Sequence, residues 1–421
     1  MTVIIIGAGI IGVSTAYYLA KHGIPCTVVD ACGIAAAASG RAGGFLARDW
    51  CSHYEMDILA RFGFDLHMEL AEQFGDVCGY RRVHTYSIDI APGDPGKSVK
   101  GPQWIQGKVR HYSQMGTPET TAQVHPNLLV NELFKEAQRM TQNATQFKLA
   151  RAVGLQFDHE DSPRVTAVTV VPTDSSDASE EVLPASCVLL ATGPWSSTST
   201  SWLPARCLPS RRFGGHRAHG VVIRPCPEAA ASKPAVDATC LFMDYNGPGR
   251  ACSPEVYPRP DGTVYMCGLS DNEPVPNTAR EVVVDSWRCD RLREVIGTVS
   301  PTLDKAQLVG EYACYLPLSP DGVPVIGPVV GVNGVWIGTG HSCWGILTGP
   351  ITGRLLAAMI AATVQDSISC LTCLPKEVQI KEREESQRLL NNHGFDLFHP
   401  RRFAHQSLME AAKCRTNKKP E

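Results

Sequence analysis

The sequence predicts an α/β fold with a parallel sheet, interleaved along the chain with an α+β second domain built on an antiparallel sheet. Three observations predict it: a strand–glycine loop–helix–strand pattern at the start, short alternating strands in the middle, and a glycine-rich loop before an apolar helix near residue 345. With 421 residues and 43% hydrophobic content, the chain is long enough for two or three domains with buried cores.

Composition excludes several classes of partner. The chain has 39 basic and 42 acidic residues, a net charge of −3, and no basic stripe, so nucleic acid is not expected. No apolar run is expected to span a membrane, and the first residues lack the charged region and cleavage site of a signal peptide. We therefore expect a cytoplasmic protein without an integral membrane segment.

The sixteen cysteines are scattered and are expected to stay reduced. Cys370 and Cys373 form a C-x-x-C pair, a spacing that chance also produces in a chain with so many cysteines. Because no second pair or histidine lies at ligand spacing, no metal site is expected.

The N-terminal segment has the pattern of a dinucleotide-binding unit. The apolar run Val3–Ile6 predicts a strand buried on both faces of a parallel sheet. Gly7, Gly9 and Gly12 then form G-x-G-x-x-G, which provides a tight turn, close backbone approach to a pyrophosphate and close packing of the following helix, predicted over Ile10–Lys21.

The start of that helix and the end of the next strand complete the pattern. The amides of Ile10 and Ile11 and the positive end of the helix dipole favour a bound pyrophosphate. Asp30 ends the second strand 21 residues after Gly9, where an acid hydrogen-bonds ribose hydroxyls. The sequence thus predicts a Rossmann-type unit that binds an ADP-containing dinucleotide, with a similar unit that binds nothing as the alternative.

The next segment favours FAD over NAD. Residues 35–50, AAAASGRAGGFLARDW, add a second loop of small residues where an NAD domain usually continues into a third strand. A flavin dinucleotide has to be held along its whole length, which requires further backbone contacts. The candidate residues in this loop are Ser39, Gly40, Arg41, Gly43 and Gly44.

Two later segments extend the predicted site. Residues 147–172 alternate as in a β-meander, and Val153 begins the strand pair whose backbone is predicted to contact adenine. A buried strand at 188–191 leads directly to Thr192 and Gly193.

Taken together, these motifs resemble the FAD-dependent oxidoreductases of the D-amino acid oxidase, glycine oxidase and sarcosine oxidase superfamily. The resemblance depends on the N-terminal glycines, the 39–44 loop, ATGPW at 191–195, PDGVPVIGP at 320–328 and the glycine loop at 338–353. SGRAGGFLARDW, RAHGVVIRP and GHSCWGILTGP are similar to a subgroup of plant and fungal oxidoreductases whose substrate is poorly defined. The resemblance covers roughly residues 1–362 and returns at 397–403.

The resemblance implies a role for the late glycine loop. The strand GVWIG, 334–338, leads to a helix whose N-terminus faces the flavin ring, where amides and the helix dipole stabilise negative charge on the reduced ring. The residues implied at this end are Gly340, His341, Gly345, Ile346, Leu347 and Thr348. His341 either contacts the flavin or is a buried structural histidine.

The implied reaction is oxidation of a C–N bond of an amine or amino-acid-like substrate, by hydride transfer to flavin N5 with O2 as acceptor. Such a transfer requires alignment and a dry pocket more than a protein base. Since the sequence contains no obvious acid–base constellation, no catalytic residue is assigned.

The substrate side departs from the amino-acid oxidases. In the pattern R-P-x-x-x-D-G, the arginine that holds a substrate carboxylate falls on Leu316. Either another arginine replaces it, with Arg48, Arg217 and Arg259 as candidates, or the substrate is not a simple amino acid. Tyr315 is a further substrate candidate.

The same alignment places Cys314 where sarcosine-oxidising relatives attach the flavin through sulfur. A buried strand cysteine without that role is the alternative.

The two predicted domains interleave along the chain. The FAD-binding domain is predicted over 1–80, 122–203 and 322–363, and the substrate domain over 81–121 and 204–321. Within the substrate domain, PRPDGT predicts a hairpin turn and residues 277–299 an amphipathic helix. Residues 364–394 are predicted to be an insertion with a solvated helix at 376–388, followed by a C-terminal tail at 395–421 whose last residues are disordered.

Two other functions stay open at this point. One is a flavin-binding protein with a regulatory or trafficking role and little turnover, which the missing arginine at position 316 allows. The other is an NAD enzyme with a solitary Rossmann unit, which would be colourless when purified.

Overall fold

The computed structural model describes residues 2–91, 101–106, 109–159, 161–173, 179–204, 207–208, 213–227, 234–364 and 374–403. The Cys370–Cys373 pair and the last part of the tail, 404–421, lie outside the described residues.

Strands dominate the described chain. They are β1 (Val3–Ile6), β2 (Thr27–Asp30), β3 (Phe45–Ala47), β4 (Arg81–Arg82), β5 (His84–Ile90), β6 (Val109–Gly116), β7 (Thr121–Gln123), β8 (Gln146–Asp158), β9 (Arg164–Pro172), β10 (Glu181–Pro184), β11 (Cys187–Leu190), β12 (Gly214–Arg224), β13 (Thr239–Tyr245), β14 (Glu255–Pro258), β15 (Val264–Asp271), β16 (Gln307–Leu318), β17 (Val325–Pro328) and β18 (Val335–Thr339). The helices are α1 (Ile10–Lys21), α2 (Ala38–Arg41), α3 (Asp57–Phe74), α4 (Pro126–Met140), α5 (Ser196–Ser201), α6 (Ser286–Val299), α7 (Gly345–Val364) and α8 (Lys376–Leu390).

The first sheet is the predicted Rossmann-type sheet, in the strand order β10-β9-β8-β2-β1-β11-β18-β17. β1 pairs in parallel with β2 and β11, β2 with the start of β8, and β11 with β18. All four residues of β1 are buried, as expected of a strand covered on both faces. α1 ends at Lys21, two residues before Gly23, whose φ of 77° permits the left-handed turn.

The helices α1 and α7 pack directly on each other over this sheet. A Cβ added to Gly349 would lie 2.6 Å from the Ile10 side chain, and one added to Gly353 would lie 2.4 Å from Ser14 Cβ. Glycine at these positions therefore sets how closely the two helix axes approach.

The segment Ser342–Val364 is long and apolar enough to cross a membrane. From the sequence we expected no integral membrane segment, although this helix meets the requirements of length and composition. Because 83% of its most apolar window is buried inside the protein, it has the environment of a core helix.

The second sheet has the order β16-β12-β15-β14-β13-β5-β6 and is largely antiparallel. The predicted hairpin joins β14 to β15, with Tyr257 opposite Tyr265. One face of the sheet packs against α6, where Leu292 and Ile296 are fully buried. This helix is shorter than predicted, since it begins at Ser286. The β-branched run at 282–284 disfavours helix before that point.

A small sheet in the order β3-β7-β4 joins the two larger ones. Strands of the first large sheet come from residues 3–30, 146–190 and 325–339, and those of the second from 84–116 and 214–318. These ranges fall within the predicted segments, although β4 and β7 lie at their boundaries. The division into two domains stays a prediction.

The predicted helix in 364–394 is present as α8, but it is not solvated on all sides. Arg354 of α7 donates to both carboxylate oxygens of Glu382, at 2.8 and 2.9 Å, and also contacts Glu385. The Arg354 guanidinium lies over the Tyr18 ring at 5.2 Å, and Glu382 is only 4% exposed. The helix was predicted, but its buried side was not. A run of charged residues in the sequence does not show which of them pair with a buried cation.

The predicted tail also begins with ordered structure. Phe395 and Phe398 are buried in the core beside α3, and Phe403 is buried in the core on the other side of the first sheet. This part of the tail therefore belongs to the packed body of the protein.

Candidate functional site

A cavity of about 440 Å³ lies between the two large sheets. Ile6, Ala191 and Thr339, at the carboxyl ends of β1, β11 and β18, form one wall. Gly220 and Cys314, on β12 and β16, form part of the opposite wall. In open parallel sheets, ligands bind outside the carboxyl ends of the strands, so this is the expected position of a nucleotide.

The cavity contacts most of the predicted cofactor residues. It is lined by Gly7, Gly9, Ile10, Ile11, Asp30, Ser39, Arg41, Gly43, Gly44, Thr192 and Gly193. It is also lined by Cys314, Tyr315, Gly340, His341, Gly345 and Ile346, which were predicted for the flavin ring and the substrate.

Gly7 shows why the first turn requires glycine. Its φ is 110°, and an added Cβ would lie 2.2 Å from the carbonyl oxygen of Ala191. Gly12 does not line the cavity; a Cβ there would lie 2.0 Å from the Gly7 carbonyl oxygen, so its role is to seat α1 against the strand. This agrees with the separate tasks predicted for the two glycines.

Both the Ile10 and Ile11 amides were predicted to bind the pyrophosphate, but the Ile10 amide has a partner within the chain. The Ile10 N–H donates to Ser39 Oγ at 2.9 Å, so the second loop already satisfies it. The Ile11 N–H has no intrahelical acceptor at this position in the helix. Ile11 lines the cavity, and an amide in the first turn of a helix is a donor that suits a phosphate oxygen there.

Asp30 is fixed by backbone donors. Its Oδ2 accepts from the Ala8 N–H at 3.0 Å, and its Oδ1 accepts from the amides of Cys32 and Gly33 at 2.8 and 3.2 Å. Oδ1 already accepts two hydrogen bonds, whereas Oδ2 accepts one and can accept another, so the group is held in place and can still bind a ribose hydroxyl.

The second loop brings the two sheets together. A Cβ on Gly43 would lie 2.3 Å from the Tyr257 ring, so only glycine allows this approach. Arg41 lines the cavity, and its Nη1 donates to the Ala313 carbonyl oxygen on β16 at 2.9 Å. Gly40 does not line the cavity; it packs against the Ala35 carbonyl oxygen.

The adenine contact predicted at Val153 is placed differently. Ala150, Arg151 and Ala152 of β8 line the cavity, and Val153 does not. The pairing of β8 with β9 is irregular between Ala152 and Gly154, so Val153 lies at a bulge. A bulge turns the strand locally and separates Val153 from its neighbours that line the cavity; the backbone contact to adenine stays a prediction.

Thr192 and Gly193 form a hydrogen-bonded corner beneath the cavity. Thr192 Oγ1 and Ser199 Oγ lie 2.7 Å apart. The Gly193 carbonyl oxygen accepts from Ser196 Oγ at 2.6 Å and from Thr339 Oγ1 at 3.2 Å. These bonds fix the loop after β11 to the end of β18.

His341 lies at the far end of the cavity and is 1% exposed. Its Nε2 is 2.9 Å from Thr352 Oγ1, and its Nδ1 has no partner among the described residues. Burial lowers the pKa of His341 to about 3, so the ring is neutral at physiological pH. A buried nitrogen without a partner that lines a cavity fits a bound group that is not part of the chain.

The helix α7 starts at this end, after a 3-10 turn at Ser342–Trp344. Gly345 and Ile346, which were predicted to contact the flavin ring, line the cavity. Leu347 and Thr348 do not: Leu347 is in the core, and Thr348 Oγ1 donates back to the Trp344 carbonyl oxygen at 2.8 Å. Only one side of a helix can face a ligand, and these two residues point elsewhere.

Cys314 lines the cavity and is 8% exposed. Burial raises the pKa of its thiol to about 11. The thiol form is therefore favoured over the nucleophilic thiolate near neutral pH.

The arginines predicted to hold a substrate carboxylate are engaged elsewhere. Arg48 binds both oxygens of Asp65, at 3.0 and 3.2 Å, and Arg217 binds both oxygens of Asp271, at 2.9 and 2.8 Å. Arg259 is buried with its guanidinium 5.0 Å from the centre of the Tyr265 ring. None of the three lines the cavity.

Leu316 and Tyr315, the other residues considered for substrate binding, do line the cavity. Leu316 lines it with an aliphatic side chain. Tyr315 also lines it and donates its hydroxyl to the Pro274 carbonyl oxygen at 2.8 Å.

Within the described residues, His219, Asp271 and Asp285 lie close enough to suggest a metal site. Arg217 and Arg288 both form ion pairs with Asp271, at 2.8 and 3.2 Å. These guanidinium groups already supply the positive charge that a metal would bring.

Sequence reasoning missed the side chains of the second sheet that face the cavity. They are Phe242, Glu255, Tyr257, Tyr265, Cys267 and Tyr312. The signal was present in EVYPRPDGTVYMCGL, because alternate residues of a hairpin share one face and Glu255 and Tyr257 are two apart. One face of the second sheet is covered by α6, so the opposite face borders the cavity.

The residues described fit an extended dinucleotide with a ring at one end. The glycine turn, the anchored Asp30 and the Ile11 amide suit the ribose and phosphates, and the unpaired His341 nitrogen and the start of α7 lie at the ring end.

Comparison with known proteins agrees with this geometry. The chain matches the DAO family, described as FAD dependent oxidoreductase, over residues 2–359. It is 29% identical over 383 residues to a protein of Schizosaccharomyces pombe named as an oxidoreductase without a substrate, covering 85% of this chain and 93% of that one. It is 27% identical over 375 residues to a glycine oxidase of Pseudomonas aeruginosa, covering 85% and 94%.

The fold is similar to that of a solved glycine oxidase from Bacillus cereus. The TM-score is 0.65 at 20% sequence identity, over 86% of this chain and 97% of the other. Since the family match spans most of the sequence, the protein belongs to the DAO family of FAD-dependent oxidoreductases, and FAD is its cofactor.

Proposed function

We propose that the protein oxidises the C–N bond of an amine or amino-acid-like substrate and uses O2 as the electron acceptor. FAD, when bound, supplies a two-electron acceptor for the hydride of the substrate carbon and passes the electrons to O2. The substrate becomes an iminium ion, which water converts to a carbonyl compound and a free amine. O2 takes up two electrons and two protons and leaves as hydrogen peroxide.

One observation carries the proposal: the cavity is continuous from the glycine turn of the nucleotide site to an aromatic wall formed by the second sheet together with β3 and the segment after it. Phe45, Trp50, Phe242 and Tyr257 line that wall. Apolar walls of this kind exclude water and position a substrate, which are the main demands of hydride transfer.

The ring end supports the same chemistry through two features of the chain. The N-terminus of α7 brings its positive dipole end to the cavity, which favours negative charge there. His341 is neutral because of its burial, so it adds a hydrogen-bonding nitrogen without a fixed charge. Relatives named as glycine oxidases act on a C–N bond, which supports the same class of reaction.

The test is anaerobic reduction of the purified yellow protein by a panel of amines, D-amino acids and N-methyl amino acids. We expect at least one class to bleach the flavin bands and to yield hydrogen peroxide when air is admitted. Bleaching by dithionite serves as the control that the flavin can be reduced. If dithionite bleaches the protein and no member of the panel does, the regulatory flavin-binding alternative is favoured instead.

A further inference from the structure

Five residues on adjacent strands of the second sheet are in register with one another, and they face the cavity. This row consists of Tyr312 of β16, Gly220 of β12, Cys267 of β15, Glu255 of β14 and Phe242 of β13. All five residues line the cavity. Gly220 has no side chain, and the end of the Tyr265 side chain lies over it, since an added Cβ would be 2.7 Å from the Tyr265 hydroxyl oxygen. Glu255 is the carboxylate of the row.

Glu255 is a half-buried carboxylate without an ionic partner. Its Oε2 accepts hydrogen bonds from the Tyr257 hydroxyl and from Cys267 Sγ, the latter at 3.4 Å. No described residue donates to its Oε1, and no described lysine, arginine or histidine lies within ion-pair distance of it. A carboxylate removed from water without a cation is costly, so this site favours a ligand with positive charge.

Other carboxylates near the cavity are satisfied by the chain itself. Asp271 has its two arginines, and Asp30 has its three backbone amides. Among the described residues that line the cavity, Asp30 and Glu255 are the acidic ones, and Asp30 lies at the nucleotide end. Glu255 is thus the anionic group on the substrate side.

Aromatic rings surround the approach to Glu255. The Trp50 ring lies 5.0 Å from the rings of both Phe45 and Phe242, and Phe45 stacks on Tyr257 at 5.6 Å. We call Phe45, Trp50, Phe242 and Tyr257 the aromatic box. Aromatic faces attract ammonium groups and also bind apolar substituents.

Glu255 also lies near the turn that precedes α7. Burial raises the pKa of the Cys343 thiol, just before α7, and the nearby Glu255 carboxylate raises it further. Cys343 lies in the turn that precedes Gly345, so Glu255 faces the segment where the flavin ring is expected.

We propose that Glu255 and the aromatic box bind the substrate as a cationic amine, whose ammonium group pairs with Glu255 Oε1 and whose apolar substituent packs against the side of the box that lines the cavity, with no carboxylate required. This inference rests on the proposed function and names its substrate class. It agrees with the aliphatic side chain at Leu316 and with the engagement of Arg48, Arg217 and Arg259 elsewhere. The competing substrate is an amino acid, whose carboxylate would pair with an arginine that lines the cavity; among the described residues these are Arg41 and Arg151.

The test compares three probes of one shape: benzylamine, benzyl alcohol and benzoate. Each is titrated into the oxidised FAD-loaded protein, and binding is read from the change in flavin absorbance. We expect benzylamine to bind about tenfold or more tightly than benzyl alcohol, and benzoate to bind weakest. If benzoate binds best, or if ammonium and hydroxyl probes bind equally, the proposal is overturned.

The variant Glu255→Gln removes the charge and keeps an oxygen that can accept from Tyr257. We expect its affinity for benzylamine to fall about tenfold or more while its affinity for benzyl alcohol is unchanged. The matched control is Glu311→Gln, since Glu311 is opposite Val221 on the same sheet and its charge acts on Cys289 of α6 instead. The control should keep the affinities of the unmodified protein within about twofold.

The FAD content of each variant is measured first. If Glu255→Gln does not retain FAD, the three probes on the unmodified protein still decide between the ammonium and carboxylate ligands. Benzylamine affinity unchanged in an FAD-loaded Glu255→Gln protein would overturn the role of Glu255.

The binding titration tests the amine site, and the anaerobic reduction tests the oxidase function, so each proposal can be rejected without the other. Tight binding of the ammonium probe with no bleaching by any amine would reject the oxidase function and leave the amine site in place. Bleaching only by substrates with a carboxylate, unaffected by Glu255→Gln, would keep the oxidase function and reject the amine site.

Discussion

His341 and Cys314 show how burial determines the chemistry of single residues in the FAD site. Both line the cavity and both have pKa values shifted toward the neutral form, to about 3 for the imidazole and about 11 for the thiol. A neutral histidine can hydrogen-bond a cofactor atom without adding charge. A protonated thiol is a poor nucleophile, which bears on whether the flavin is attached through Cys314.

We predict that FAD is held without a covalent bond. Trichloroacetic acid should release all the yellow colour from the precipitated protein, and Cys314→Ala should behave in the same way, because the Cys314 thiol is not ionised near neutral pH. Colour that stays with the pellet of the unmodified protein and leaves it in Cys314→Ala would show that the thiol carries the flavin.

The contact between α1 and α7 explains why two distant glycine-rich segments serve one site. α1 starts at the glycine turn near the pyrophosphate position, and α7 starts at the ring end. The glycines Gly349 and Gly353 let the two helices touch along Ile10 and Ser14, which fixes the distance between the two ends of the cavity. The spacing of four residues places both glycines on one face of α7.

We predict that Gly353→Ala destabilises the protein by about 1–3 kcal/mol, although alanine is the better helix former. The added Cβ would lie 2.4 Å from Ser14 Cβ and 2.7 Å from the Ser14 carbonyl carbon, so α1 and α7 must separate. The free energy of unfolding from urea titrations measures the effect.

The matched control is Gly297→Ala in the interior of α6. Its Cβ would lie 3.3 Å from Asp304 Oδ1, the end of a flexible side chain. We expect this change to be neutral or to stabilise by up to about 1 kcal/mol. Equal effects of the two substitutions would contradict the role given to Gly353.

At the scale of the whole molecule, the active cavity exists only where the two large sheets meet. The nucleotide groups come from the ends of parallel strands, and the aromatic box and Glu255 come from the face of the antiparallel sheet and from the segment after β3. The surrounding core also buries histidines, among them His67 on α3, whose Nε2 lies 2.8 Å from the Ile346 carbonyl oxygen.

These histidines predict acid destabilisation. Burial lowers the pKa of His67 to about 4, whereas an unfolded histidine titrates near 6.5. Between these values the unfolded chain binds more protons, so stability is complete above about pH 6.5 and falls as the pH drops toward 4. At pH 5 the loss due to His67 is about 2 kcal/mol.

Urea titrations at pH 7.5 and pH 5 measure this loss. The variant His67→Gln keeps a donor for the Ile346 carbonyl oxygen and does not titrate, so it should lose about 2 kcal/mol less than the unmodified protein between the two pH values. His393→Gln, at a histidine side chain that is 93% exposed, serves as the control and should not change the dependence. The same pH dependence in His67→Gln and the unmodified protein would contradict the prediction.

The sequence by itself determined the nucleotide half of the site and the order of the main elements. The glycine turn, α1, Asp30 and the start of α7 were predictable because local periodicity and glycine positions set the backbone there. It also shows leucine at position 316, where the resemblance to the amino-acid oxidases implies a carboxylate-binding arginine.

Only the tertiary structure decided the substrate half. Glu255, Phe242 and Trp50 are distant in the chain, and they meet because α6 covers one face of the second sheet and leaves the other to the cavity. The bulge at Val153 and the burial of Glu382 against Arg354 likewise depend on pairing between remote segments. Local propensities carry no information on which distant side chains become neighbours, and this is the physical reason why those residues were missed or misplaced.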